Sequence, residues 1–180
     1  MANARVVLNK RPEDNIIPGE TFRKVTDLAP SPKDLKDGEI LVEVLLISLE
    51  PAMRGWLNGI SYLPPVEIGD TMRSFSAARV IATRSKLAEV GHVAIALSGW
   101  AQYAIVPEEL FEPVSTLPKV GETHGLLSMY GLTGMTAWVG MTQIGDPKPG
   151  DTVVVSAAAG ATGGIAGQIA KVKGAWVFGI

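Results

Sequence analysis

The stretch from Val153 to Ile180, VVVSAAAGATGGIAGQIAKVKGAWVFGI, constrains the fold more than any other part of the chain. A β-branched run bounded by turn residues reads as a buried strand, and here it leads straight into a glycine-rich turn. GGIAGQIAKVKG follows with small and apolar residues at helical spacing, and Gly174 stands where a helix needs a C-terminal glycine. AWVFGI then reads as a second strand. Asp151–Ser156 and Ala175–Gly179 are therefore expected to be adjacent parallel strands, joined by a right-handed crossover through the helix after Gly163.

Written from Ala158, the turn is A-x-G-x-x-G, with Gly160 and Gly163 in the second and third glycine places. This is the dinucleotide fingerprint with its first glycine replaced by alanine. Gly160 lets the backbone approach a pyrophosphate without a Cβ in the way, and Gly163 lets the helix lie close on the strand. Free N–H groups at the helix start, with the positive end of its dipole, suit phosphates, and Thr162 adds a hydroxyl. The alternative is a turn built for tight packing alone. The strand–turn–helix–strand context at the ~30-residue spacing of a βαβ unit favours nucleotide binding. The residue that reads the ribose falls ~20 residues past the glycines, near where the sequence stops, so this text does not separate NAD from NADP.

From Arg5 to about Val120 the signals favour short strands: ARVVLNK, EILVEVLLISLE, SAARVIATRS and GWAQYAIVP. DGEI supplies a turn in which Gly38 takes positive φ. Most of the 12 prolines lie in this part, which confines their segments to edges and loops. An irregular antiparallel barrel or sandwich is expected. Character changes near Gly121. THGLLSMYGLTGMTAWVGMTQIG reads as two short helices with a break near Gly131–Gly134, and Met129, Met135 and Met141 read as core filler between helix and barrel. Arg54 and Arg73 read as partners of acids in their own loop. The expected division is residues 1–121 and 122–180.

Composition removes several functions. Of 180 residues 47% are hydrophobic, enough for a sizeable core, and the net charge of −2 argues against a general hold on nucleic acid. There is no cysteine, and the two histidines, His92 and His124, form no metal-ligand pattern, so no metal site is expected. MANARVVLNKRPEDN lacks a basic head followed by an apolar core, and no uncharged apolar run approaches the ~20 residues that span a bilayer. No membrane partner is expected, and a cytoplasmic location fits best.

Three separated motifs narrow the reading: LEPAMRGWLNGISYLPPVEIGDTMR (Leu49 to Arg73), LSGWAQYAIV and YGLTGMTAWVGM. Together with the A-x-G-x-x-G unit they resemble the zinc-independent branch of the medium-chain dehydrogenase/reductase superfamily. That branch contains leukotriene B4 dehydrogenase/prostaglandin reductase, curcumin reductase and plant alkenal double-bond reductases. The resemblance implies an α/β protein: a GroES-like, mainly-β barrel domain followed by the first βαβ unit of a Rossmann-type nucleotide-binding domain. It implies that Gly160, Ala161, Thr162 and Gly163 line a pyrophosphate, that Thr136 sits near the nicotinamide, and that Pro51 and Met53 belong to a loop at the cofactor–substrate cleft. Ala52 stands where several relatives carry tyrosine, and Tyr62 and Trp100 are candidates for the substrate wall, with packing aromatics as the alternative.

The implied chemistry is transfer of hydride from NADPH to the β-carbon of an α,β-unsaturated aldehyde or ketone, with no catalytic residue identified. Relatives of this type are roughly twice as long, as two domains of ~100–200 residues require, so the chain reads as truncated in its cofactor domain. Two rivals stay open. One is a zinc-independent quinone reductase. The other is a non-catalytic module acting through homodimerisation or other self-association along the apolar strand near Trp176.

Overall fold

The computed structural model describes residues 1–59, 61, 63–116 and 123–180. Tyr62 and the expected boundary at residues 121–122 lie outside the described residues. The chain divides into two compact units, Met1–Lys119 and Val120–Ile180.

In the first unit the strands are β1 (Ala2–Leu8), β2 (Phe22–Leu28), β3 (Glu39–Ile47), β4 (Ser76–Thr83), β5 (Val93–Ala96), β6 (Tyr103–Pro107) and β7 (Phe111–Pro113). A short α-helix, α1 (Ala52–Trp56), lies between β3 and β4, and 3-10 turns lie at Pro32–Asp34, Glu108–Leu110 and Val114–Thr116. All the ladders are antiparallel. A five-stranded sheet runs in the order β6-β3-β4-β5-β7, and β1 and β2 form a separate two-stranded ladder. Bridges from Arg5 to Ala101 and from Val7 to Thr71 tie that ladder to the loops flanking β4 and β6. Central β3 and β4 hold the core because their β-branched and small residues face inward: Ile40, Val42, Ala78 and Val80 are buried with Ala94, Ala96, Val106 and Phe111. The Gly38 turn takes φ +82°, and its N–H donates to the Arg84 carbonyl at 3.1 Å.

A second apolar cluster gathers Leu8, Met53, Trp56, Leu57, Val66 and Met72, with Phe22, Leu63 and Trp100 packed against it. It fastens α1 to the β1–β2 ladder. Arg54 and Arg73 do other work than the acid pairing expected of them. Arg54 donates to the Asp14 carbonyl at 2.7 Å and Arg73 to the Pro64 carbonyl at 2.9 Å. The Arg73 guanidinium also stands over the Trp56 ring at 5.6 Å.

The second unit contains α2 (Thr123–Ser128), α3 (Leu132–Val139), a π-helical turn at Gly140–Ile144, β8 (Thr152–Val155), α4 (Ala161–Val172) and β9 (Trp176–Gly179). The break between the first two helices falls at residues 129–131, with Gly131 as the N-cap of α3. Gly134, expected in the break, lies inside α3, where a Cβ would stand 2.2 Å from the Met129 carbonyl oxygen. The methionine expectation is corrected as well. Met129 and Met135 are 58% and 55% exposed, and the buried residues of these helices are Leu126, Gly134 and Ala137.

Strands β8 and β9 pair in parallel, Thr152 opposite Trp176, with α4 as the crossover. Small residues bring the helix close to the strands: Ala170 is fully buried, and a Cβ on Gly167 would meet Val177 at 3.5 Å. Val154, Trp176 and Phe178 are exposed. No helix among the described residues is long and apolar enough to cross a membrane.

Asp146 anchors the approach to β8. Its carboxylate accepts from Lys148 Nζ and, at 2.6 Å, from Lys173 Nζ just beyond α4. The hydrogen bond from Lys148, then that from Lys173, lowers its pKa from 3.8 to about 2. A carboxyl depressed in the folded state stabilises it above the unfolded value and loses that contribution as pH falls through the folded one. Asp146→Asn is therefore expected to lower the unfolding midpoint at neutral pH, with the gap to the parent closing between about pH 4 and pH 2. Thermal unfolding across that range checks it. Because the side chain is 45% exposed, salt near ~1 M should shrink the difference.

Candidate functional site

The second unit presents backbone N–H groups at the start of α4. After β8 the chain turns through Ala157, at φ +49°, and enters α4 at Gly160, an N-cap with extended backbone (φ −78°, ψ 167°). The Gly160 N–H closes the turn on the Ala157 carbonyl at 2.8 Å, and the Gly164 N–H makes an α-type bond to the Gly160 carbonyl, also 2.8 Å. The N–H groups of Ala161, Thr162 and Gly163 precede that bond, so the helix itself offers them no acceptor. No acid sits in the first turn to compete for them. The positive end of the dipole is left for an anion.

The two glycines differ in what requires them. A Cβ on Gly163 would stand 2.4 Å from the Ala157 carbonyl oxygen and 3.0 Å from Ala158 Cα, so close packing of helix on turn demands glycine there. A Cβ on Gly160 would meet only the Ala157 oxygen, at 3.1 Å, and its backbone is open to any residue. Thr136 lies on the exposed side of α3, a helix that packs on α4. Its hydroxyl donates to the Leu132 carbonyl at 2.7 Å, which commits its proton and leaves acceptor capacity only.

The first unit contains an apolar pocket of about 370 Å³. Pro51, Met53 and Trp100 line it, and so do Leu57, Phe22, Met72, Leu49 and Ile16. The Trp100 ring stands 5.2 Å from that of Phe22, tilted by 43°. Glu50 and Arg54 are the charged residues of the wall. Glu50 Oε1 accepts from Ser48 Oγ at 2.8 Å, while Glu50 Oε2 and Trp100 Nε1 are buried with no hydrogen-bond partner among the described residues. Ala52, one residue from Pro51 and Met53, is exposed and outside the pocket wall.

Of the residues singled out in the sequence, Pro51, Met53 and Trp100 lie in this wall, and Ile16, Phe22, Leu49, Glu50, Arg54, Leu57 and Met72 were not among its candidates. Phe22 and Met72 look like ordinary core positions in the sequence. Ile16 reaches the pocket through a loop whose path no local periodicity announces. One signal was available: the polar, turn-rich KRPEDNIIPGE carries an isolated pair of isoleucines that a solvated loop does not need.

Residues 4–114 match the family model described as the N-terminal domain of oxidoreductase. The chain is 35% identical to the NADPH-dependent curcumin reductase of Escherichia coli, over 99% of this chain and 50% of that protein. It is 39% identical to prostaglandin reductase 1 of Oryctolagus cuniculus, over 87% of this chain and 42% of that protein. Among solved structures, that of CurA in complex with NADPH from Vibrio vulnificus superimposes with a TM-score of 0.83 at 36% identity, covering 98% of this chain and 51% of that one. The chain therefore spans about half the length of the curated relatives it matches.

The unequal crowding at the two turn glycines has a direct consequence for folding. Gly163→Ala is expected to destabilise the second unit by about 1–3 kcal/mol, since its methyl overlaps a backbone carbonyl that cannot rotate away. Gly160→Ala, facing a single contact, should cost less than about 1 kcal/mol. Denaturant unfolding followed by Trp fluorescence compares them; equal losses would contradict the packing described.

Proposed function

Because the chain belongs to the oxidoreductase family matched through that amino-terminal domain, of the medium-chain dehydrogenase/reductase type, we propose that it serves in NADPH-dependent reduction of the C=C bond of α,β-unsaturated aldehydes and ketones. The observation that carries the reading is the start of α4, where three consecutive N–H groups follow an acid-free turn of three alanines and the bare Gly160. These residues fit a dinucleotide. Ala161, Thr162 and Gly163 would hold the pyrophosphate through their N–H groups, the Thr162 hydroxyl would add a donor, and the bare Gly160 would admit the phosphates to the backbone. Thr136, with its proton already committed, would accept from the carboxamide N–H of the nicotinamide. When bound, NADPH supplies the hydride that adds to the enone β-carbon.

The chain's own share on the substrate side is shape and dryness. Met53, Leu57, Met72 and Trp100 would hold the carbon skeleton of a neutral substrate by apolar contact and keep water from it, with Pro51 fixing the start of α1. Polarisation of the enone carbonyl needs a hydrogen-bond donor, and no side chain is assigned that role.

The test is a fluorescence titration of NADPH against the parent and Gly160→Val, followed by turnover with enals, enones and quinones. The parent should bind, and the variant, folded by circular dichroism, should bind at least about tenfold more weakly, ~1.4 kcal/mol. A folded Gly160→Val that binds as the parent does would make the turn a packing device. Turnover of quinones without enals would favour a quinone reductase, and no binding by the parent would favour the non-catalytic alternative.

A further inference from the structure

The loop joining β1 to β2, residues 9–21, carries no strand or helix, yet it is tied down at both its base and its crest. At the base, the Asn9 N–H donates to the Thr21 carbonyl at 2.8 Å, Asn9 Nδ2 to the Glu20 carbonyl at 2.9 Å, and Lys10 pairs with Glu20. At the crest three side chains sew the loop to α1 and the residues after it. Arg11 Nη1 donates to the Leu57 carbonyl while its Nη2 donates to Glu67 at 3.0 Å. Asn58 Nδ2 donates to the Pro12 carbonyl at 3.1 Å, and Arg54 Nη2 to the Asp14 carbonyl at 2.7 Å.

Two of these bonds end on loop carbonyls, so they fix the path of the backbone rather than any particular side chain. Ordering a loop of this length costs backbone entropy at every residue, and a merely connecting segment would gain little from such anchoring. What the anchoring achieves is visible at Ile16. That side chain forms part of the apolar pocket wall beside Phe22, Leu57 and Trp100, yet it remains 45% exposed. An isoleucine held half in water at the wall of an apolar cavity has surface to bury against whatever enters the cavity.

We propose that the β1–β2 loop is the specificity wall of the pocket: Ile16 selects substrates with a neutral apolar arm, and Arg11, Arg54 and Asn58 are positioning residues that hold it there. This rests on the reading of the pocket as the substrate site. The Ile16 contact is realised only by a substrate long enough to reach the rim, so it discriminates by arm length and leaves binding of the enone itself unchanged.

The probes are benzylideneacetone, an enone with an aryl arm, and ethylideneacetone, which ends in a methyl group. Ligand titrations followed at the Trp100 indole N–H resonance report binding in this pocket. Ile16→Ala should weaken benzylideneacetone roughly fivefold to tenfold and leave ethylideneacetone within about twofold. Ile16→Leu should restore most of the difference, and Asn58→Ala should lose the same preference by freeing the Pro12 carbonyl. If Ile16→Ala weakened both enones equally, or neither, the wall would be overturned while the pocket stood. If the parent bound neither at Trp100, the substrate-site reading would fail and the wall with it.

Discussion

Burial of Trp56 is the constraint on which the first unit's site depends. Helix α1 is five residues long, far below the ~12–15 at which an isolated helix becomes even marginal in water. It exists because Trp56, 1% exposed, is packed among Leu8, Leu57, Val66 and Met72, where truncation of such a side chain typically costs about 3–5 kcal/mol. The Trp56 carbonyl also accepts from the Val66 N–H at 2.8 Å, closing the segment that follows. With the tryptophan fixed, Pro51 and Met53 have no freedom to leave the pocket, and Leu57 offers its carbonyl to Arg11. Met53, Leu57 and Met72 belong both to this cluster and to the pocket wall, with Phe22 and Trp100 packed against them, so the packing that holds the cluster also holds that part of the wall.

The two units use different physical means. In the second, the candidate site is backbone: N–H groups left over by helix geometry, presented after a turn whose side chains are alanine methyls and whose last residue, Gly160, has none. In the first, it is side-chain surface, apolar but for Glu50, Arg54 and the buried Trp100 Nε1.

The parts of the fold legible in the sequence were those governed by local periodicity. ARVVLNK, EILVEVLLISLE, SAARVIATRS and GWAQYAIVP became β1, β3, β4 and β6, and the closing βαβ unit stands with its strands parallel. Strand β2, FRKVTDL, was hidden because four of its seven residues are charged or polar and five are exposed; pairing with β1 makes it a strand, not burial. β5 and β7 were too short to declare themselves. The methionines misled because a helix-spaced apolar residue reads as core whether or not a neighbour covers it. Of the pocket, Pro51, Met53 and Trp100 were singled out through resemblance. Ile16, Phe22 and Met72 come from three remote places, and only the tertiary fold brings them together.

The alanine in the fingerprint's first place shows how a motif's rule survives its own exception. Glycine there serves the tight turn, which in this fold passes close to the end of β9. In this protein Ala158 brings a methyl into that passage, and the strand opposite compensates. A Cβ on Gly179, the last residue of β9, would stand 2.6 Å from the Ala158 methyl carbon, a distance no pair of side chains tolerates. The Ala158 N–H meanwhile donates to the Ile180 carbonyl at 3.3 Å, so the two segments must run this close. One side-chain-free position is needed where the turn crosses the end of β9, and either segment can supply it. Gly179 would otherwise be an odd choice inside a strand, where glycine gains no packing and loses most entropy. Its presence there is the complement of Ala158, and the requirement belongs to the crossing, not to the residue that conventionally meets it.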